Sequence, residues 1–196
     1  KKKKKPTIIR GSDHHFSFTY VGSGLGQRVG TFVPFTDNGT ISHSCLFNDG
    51  NSECLNRTPG SDGNRRTWTW SAWVRRQKLA LAYMFMYNDA SANGENIQFD
   101  SSNRLQYYVI VGGGYQINYI SNRTFEDKSK WYHIVVRKDT TQSTAANRVR
   151  IYVDGTKLTS FSTETQPSQN DQGFFNQSWK QQDIGNFSNS GVSDEA

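Results

Sequence analysis

Apolar and polar residues alternate along most of this chain with a period of two, the pattern of strands buried on one face. In RTWTWSAWVRR, Trp68, Trp70, Ala72 and Val74 share one face, while Thr69, Ser71, Trp73 and Arg75 share the other. WYHIVVRK places Trp131, His133 and Val135 opposite Tyr132, Ile134 and Val136, so both faces carry bulk. In RVRIYVDG, Val149, Ile151 and Val153 alternate with Arg148, Arg150, Tyr152 and Asp154. Asp154 and Gly155 suit the two positive φ angles of a type I′ turn, so Lys157-Leu158 begins a return strand. LALAYMFMY (79–87), Ile97–Phe99, RLQYYVIV (104–111) and YQINYI (115–120) read as further antiparallel strands, broken by NDASANGEN, DSSN and Gly112–Gly114. The polar stretch from Phe161 to Gln182 offers Phe174, Phe175 and Trp179 as anchors. Roughly eleven to thirteen strands and almost no 3.6-residue periodicity predict an all-β chain folded as two packed antiparallel sheets.

Three motifs in order carry a family resemblance. CLFNDGNSECLNRT resembles a hairpin with Cys54 at a position more often aromatic; RTWTWSAWV follows it; then come WYHIVV and RIYVDG. Together they resemble laminin-G-like domains, a branch of the concanavalin A-like jelly rolls, over roughly residues 40–196. The resemblance implies a two-sheet antiparallel jelly-roll sandwich at 16–196, preceded by a basic tail at 1–15. It implies carbohydrate or protein binding more often than catalysis. The approach TYVGSGLGQRVGTFVPFTDNGTI resembles such domains in structural proteins of tailed bacteriophages. The implied role is a non-enzymatic tail-fibre-like module on the virion surface. Its implied partners are a host glycan or polysaccharide, other copies, or other virion proteins. A secreted, extracellular carbohydrate-binding module is the alternative, and a glycoside hydrolase or lyase of the same fold ranks third. Gly191–Ala196 resembles only the beginning of the family's closing strand, so the expectation is a domain lacking its last strand.

Composition narrows this reading. Aromatics make up 13% of the 196 residues, and only 4 are proline, which suits a turn-rich β protein of one domain. The formal charge of +6 points toward nucleic acid until the opening Lys1–Lys5 are set aside; the body's basic and acidic side chains then differ by one. A nucleic-acid partner is therefore not expected. Nor is a membrane partner, since no apolar run approaches the ~20 residues of a spanning helix. Gly22, Gly24, Gly26 and Gly30 lack both the spacing and the following helix of a phosphate-binding loop. Cys45 and Cys54 fall opposite each other if Asp49-Gly50 form a hairpin turn, which permits a cross-strand disulfide; two free thiols are the equal alternative.

The candidate chemistry is that of binding. Retaining glycosidases of this architecture need paired carboxylates, usually as E-x-D-x-x-E, and the chain contains no such motif. His133 lies inside a strand signature and reads as a packed structural residue. Sugars are held by aromatic rings and by amide and guanidinium groups. Trp73, Arg75, Tyr107, Tyr115, Asn118 and Tyr119 are the candidates for this role, although these aromatics suit a core equally well. Asp89, Asn93 and Asp100 are candidate Ca²⁺ ligands, with Asn103 nearby.

Overall fold

The computed structural model describes Cys45, Phe47 and residues 54–185. Within them run β1 (Leu55–Arg57), β2 (Thr67–Val74), β3 (Ala82–Asn88), β4 (Gly94–Phe99), β5 (Arg104–Val111), β6 (Gly114–Thr124), β7 (Tyr132–Asp139), β8 (Val149–Val153), β9 (Thr156–Lys157), β10 (Phe161–Thr165) and β11 (Gln182–Ile184). Helix is confined to one 3₁₀ turn, Ala145–Asn147, among these residues. The strands form a seven-stranded sheet, ordered β1-β11-β3-β4-β5-β6-β10, and a four-stranded sheet, ordered β2-β7-β8-β9. Their pairings are antiparallel throughout. The chain is thus an all-β, two-sheet sandwich, as its alternation predicts.

The apolar sets of the two sheets meet between them. Ile97, Phe99, Leu105, Tyr107, Val109, Ile117 and Tyr119 from the larger sheet pack with Tyr132, Ile134, Val136, Val149, Ile151 and Val153 from the smaller one. Trp68, Trp70 and Val74 join them from β2. Burying these side chains is the main favourable term in folding. The Asp154-Gly155 turn forms as expected, with φ of 52° and 78° and Val153 paired with Thr156.

A buried ion pair crosses this apolar layer. Lys138 shares a face with Val136 and Ile134, and its ammonium lies 3.4 Å from Glu95 Oε1, both side chains being wholly inaccessible. The Tyr107 hydroxyl donates to Glu95 Oε1 at 2.7 Å, and the backbone N–H groups of Phe174 and Phe175 donate to Oε2. Every strong acceptor position of the carboxylate is therefore used, the condition under which a buried ion pair is tolerated. Burial, then the neighbouring Glu95 charge, pushes the Tyr107 hydroxyl well above the usual tyrosine range. A Cβ at Gly173 would overlap the Glu95 carboxylate and the Lys138 ammonium, so only glycine lets the loop approach this closely.

The structure departs from the sequence pattern at Leu79 and Leu81 and at Trp179. Leu79 and Leu81 are exposed and precede β3 rather than belonging to it. Trp179 is no anchor: Phe174 and Phe175 enter the core, but Trp179 is 80% exposed. The hairpin turn between the cysteines, residues 48–53, lies outside the described residues, as do the 1–15 tail, Phe16–Tyr20 and the 191–196 segment. Cys45 and Cys54 carry no disulfide bond in the structure, Cys45 being exposed and Cys54 half-buried.

Candidate functional site

The outer face of the seven-stranded sheet is polar where its inner face is apolar. Across β3, β4 and β5, the amides of Asn88 and Asn96 exchange hydrogen bonds of 3.2 and 2.9 Å, and Asn96 Nδ2 also donates to the Tyr108 hydroxyl. A second row runs across β4, β5 and β6: Gln98 Nε2 donates to Gln106 Oε1 at 2.9 Å, and Gln106 Nε2 donates to Asn118 Oδ1 at 3.0 Å. Gln98 Oε1 is buried with no partner among the described residues. Such ladders fix each amide in one orientation, so the polar groups of this face are preorganised.

A groove of about 280 Å³ opens where this face meets the β3–β4 and β5–β6 loops. It is lined by Tyr83, Asn88, Asn93, Tyr108, Ile110 and Gly113, with Asp89, Ala92 and Gly94 completing the wall. The two loops are tied together by Gly113 N–H to Ala92 O at 3.0 Å and Gly112 N–H to Asn93 Oδ1 at 2.8 Å. Tyr115 stands edge-on to Tyr108, with ring centroids 5.7 Å apart, and is half exposed.

Two β-bulges create this aromatic lining. On strict alternation, Tyr83 would share the inward face with Phe85, and Tyr115 would share it with Ile117. The register shifts between Tyr83 and Phe85, so Tyr83 opposes Gln98 while Phe85 opposes Ile97. It shifts again beside Ile110, so Tyr115 opposes Ile110 while Ile117 opposes Val109. Each extra residue turns one tyrosine from the core to the outer face, a known use of bulges. Burial raises the Tyr108 hydroxyl to about 12, against a smaller lowering by its Asn96 bond, and raises Tyr83 as well. Both phenols are neutral donors at physiological pH.

The sequence-predicted sugar ligands separate into three places. Tyr115 stands beside the groove. Asn118 is on the same face but buried, its Oδ1 taken by Gln106, so it orders the face rather than presenting to it. Tyr107 and Tyr119 are corrected to core residues, 0% and 3% exposed, because they share parity with Leu105, Val109 and Ile117. Trp73 and Arg75 belong to the opposite side of the sandwich. There Trp73 is 62% exposed and stacks on His133 at 4.9 Å, and the Arg75 guanidinium lies over Trp131. The His133 ring also meets the Ser71 hydroxyl at 2.9 Å, the packed role expected of it.

The Ca²⁺ candidates do not come together. Asp89 and Asn93 sit before β4 and Asp100 sits after it, at opposite ends of the strand. Asp89 accepts from the backbone of Ser91 and Asn93, from Asn93 Nδ2 and from the Tyr87 hydroxyl, and Lys180 stands 3.8 Å away. Asp100 accepts from the backbone of Ser102 and Arg104 and pairs with the Arg104 guanidinium at 2.8 Å. Both carboxylates close hairpin turns and already face cations, and no group of three acidic, histidine or cysteine side chains suits a metal among the described residues. These residues do not fit Ca²⁺.

A family profile described as concanavalin A-like lectin/glucanases superfamily, of laminin G type, matches residues 48–189. The chain belongs to this superfamily. No curated protein sequence matches it. Among solved structures it is similar to domains LG4-5 of the mouse laminin alpha1 chain, at 12% identity and a TM-score of 0.40, over 70% of this chain and 35% of that one. It is also similar to a native heptameric SAP-like pentraxin from Limulus polyphemus, at 13% identity and a TM-score of 0.37, over 68% and 64% of the two chains. A prokaryotic β-1,3-1,4-glucanase (lichenase) derived from a mouse hindgut metagenome aligns at 12% identity and a TM-score of 0.36, over 74% and 75%. The chain thus spans less than two thirds of the laminin and pentraxin chains. No helix among the described residues is long and apolar enough to cross a membrane.

Proposed function

We propose that this lectin/glucanase-superfamily chain is a non-enzymatic recognition module that binds a saccharide in the outer-face groove. The carrying observation is the pair of bulges that bring Tyr83 and Tyr115 to the same face as Tyr108, beside amides already fixed by hydrogen bonds. Aromatic rings cover the apolar CH faces of a pyranose, and Asn88, Asn93 and the tyrosine hydroxyls supply donors and acceptors for its hydroxyl groups. Binding rather than hydrolysis is supported by the carboxylates nearest the groove. Glu95 points into the core and is engaged by Lys138 and Tyr107, and Asp89 is engaged in its turn. Paired carboxylates free to act on a glycosidic bond are what hydrolysis requires.

The biological setting we propose is a virion appendage such as a tail fibre, with a host surface glycan as ligand. Its support is the resemblance of residues 19–41 and the following motifs to structural proteins of tailed bacteriophages. A glycan array, with bacterial surface polysaccharides included, tests the reading. Wild-type protein is expected to bind saturably, Tyr108→Ala to lose that binding while keeping its β-type circular dichroism, and neither to release reducing ends. Release of reducing ends by the wild type, or equal retention of both proteins, would overturn it.

A further inference from the structure

Trp179 is the most exposed large hydrophobic side chain among the described residues, at 80%. It is also held in the left-handed region, with φ of 60°, where a bulky residue is an outlier. The loop that holds it there is tightly laced. Glu95 Oε2 receives the N–H groups of Phe174 and Phe175, and Arg65 Nε donates to Gly173 O at 2.8 Å. Gly63 N–H donates to Asn176 O at 2.7 Å, Ser178 N–H to Asp62 Oδ1 at 2.6 Å, and Trp179 N–H to Pro59 O at 3.0 Å. Phe174 packs against the Tyr87 ring, with centroids 5.2 Å apart, and Phe175 is buried in the core. Because the backbone that carries the indole is fixed, binding orders only the side-chain torsions, and a strained backbone position that the surroundings enforce is a pointer to function.

The next residue connects this indole to the groove. Lys180 lies over the Tyr87 ring and stands 3.8 Å from Asp89 Oδ2, and Asp89 lines the groove wall. The residues beside Trp179 in the chain are polar, Asn176, Gln177, Ser178 and Lys180, and Asp62 joins them by accepting the Ser178 N–H. A flat ring set among hydrogen-bonding groups suits a sugar ring better than the contiguous apolar area a protein interface uses.

We propose that Trp179 is a second stacking subsite, and that the ligand is a linear oligosaccharide running from the tyrosine groove past Asp89 and Lys180 to the indole. This rests on the groove reading above. The subsite makes affinity depend on chain length: a disaccharide fills the groove alone, while a longer chain reaches Trp179.

Isothermal titration of the wild type, Tyr108→Ala and Trp179→Ala with linear di- and hexasaccharides of the gluco-, manno- and chito-series tests this. The wild type should bind one hexasaccharide about tenfold or more tightly than its disaccharide, and Trp179→Ala should bind both equally, at the disaccharide affinity. Trp179→Phe, which keeps an aromatic face, should recover part of the difference. Tyr108→Ala should lose both ligands. Trp179→Ala with the wild-type hexasaccharide affinity would overturn the subsite and leave the groove standing. Full disaccharide binding by Tyr108→Ala would overturn the groove, and no binding of any series by the wild type would overturn both.

Discussion

At the residue scale, the most demanding feature is the fully buried Glu95–Lys138 pair. Removing one partner strands the other charge in an apolar layer, so Lys138→Met or Glu95→Gln should each lower the unfolding free energy by about 3–5 kcal/mol. The double variant, which strands no charge, should regain part of that loss; urea titration of the three proteins gives the comparison. A loss of under about 1 kcal/mol for either single change would contradict the clamp. This pair was not legible in the sequence. Lys138 follows Val136 in parity, but nothing in a sequence marks which distant carboxylate will oppose an inward lysine. Tyr107 and Tyr119 were legible: their parity with Leu105, Val109 and Ile117 assigns them to the core. Choosing them as sugar ligands weighed residue type above alternation.

At the element scale, strands and the Asp154-Gly155 turn follow from period and turn chemistry, but bulges do not. A bulge is one extra residue whose cost is set by the partner strand, and so Tyr83 and Tyr115 face outward against their own local pattern. Inserting one serine between Val109 and Ile110, which gives Gln116 a partner on β5, should remove the bulge and force either Tyr115 inward or the turn out of register. The expected outcome is lost glycan binding with retained β-type circular dichroism; unimpaired binding would show that the bulge does not position Tyr115. The turns carry a second expectation. Asp139, Asp154 and Asp89 all have carboxyls held below the usual range. At Asp139 the Thr141 hydroxyl bond is the largest cause. At Asp154 and Asp89 burial works the other way but is outweighed, by Lys130 and the His133 N–H in one case and by Asn93, Tyr87 and Ser91 in the other. Depressed carboxyls stabilise fully above their unfolded pKa of about 3.9, and that stability is lost as pH falls through their lower folded values. The thermal midpoint should therefore hold between pH 7 and 5 and fall below about pH 4. A fall already between pH 7 and 5 would assign acid sensitivity to other groups.

At the scale of the whole molecule, the sandwich separates two kinds of surface. One outer face carries the hydrogen-bonded amide rows and the tyrosine groove; the other carries Trp73 stacked on His133 and Arg75 over Trp131. Sequence motifs identified the sandwich and its superfamily because alternation and turn residues are local signals. They mixed the two outer faces into one list of candidates, since which sheet a strand joins depends on long-range pairing. The most direct measurement of the account is a crystal structure of the protein with the tightest oligosaccharide ligand. A sugar ring against Tyr108 and Tyr115, hydrogen-bonded to Asn88 or Asn93, is the predicted result; a ligand seated instead on the Trp73–His133 face would contradict it.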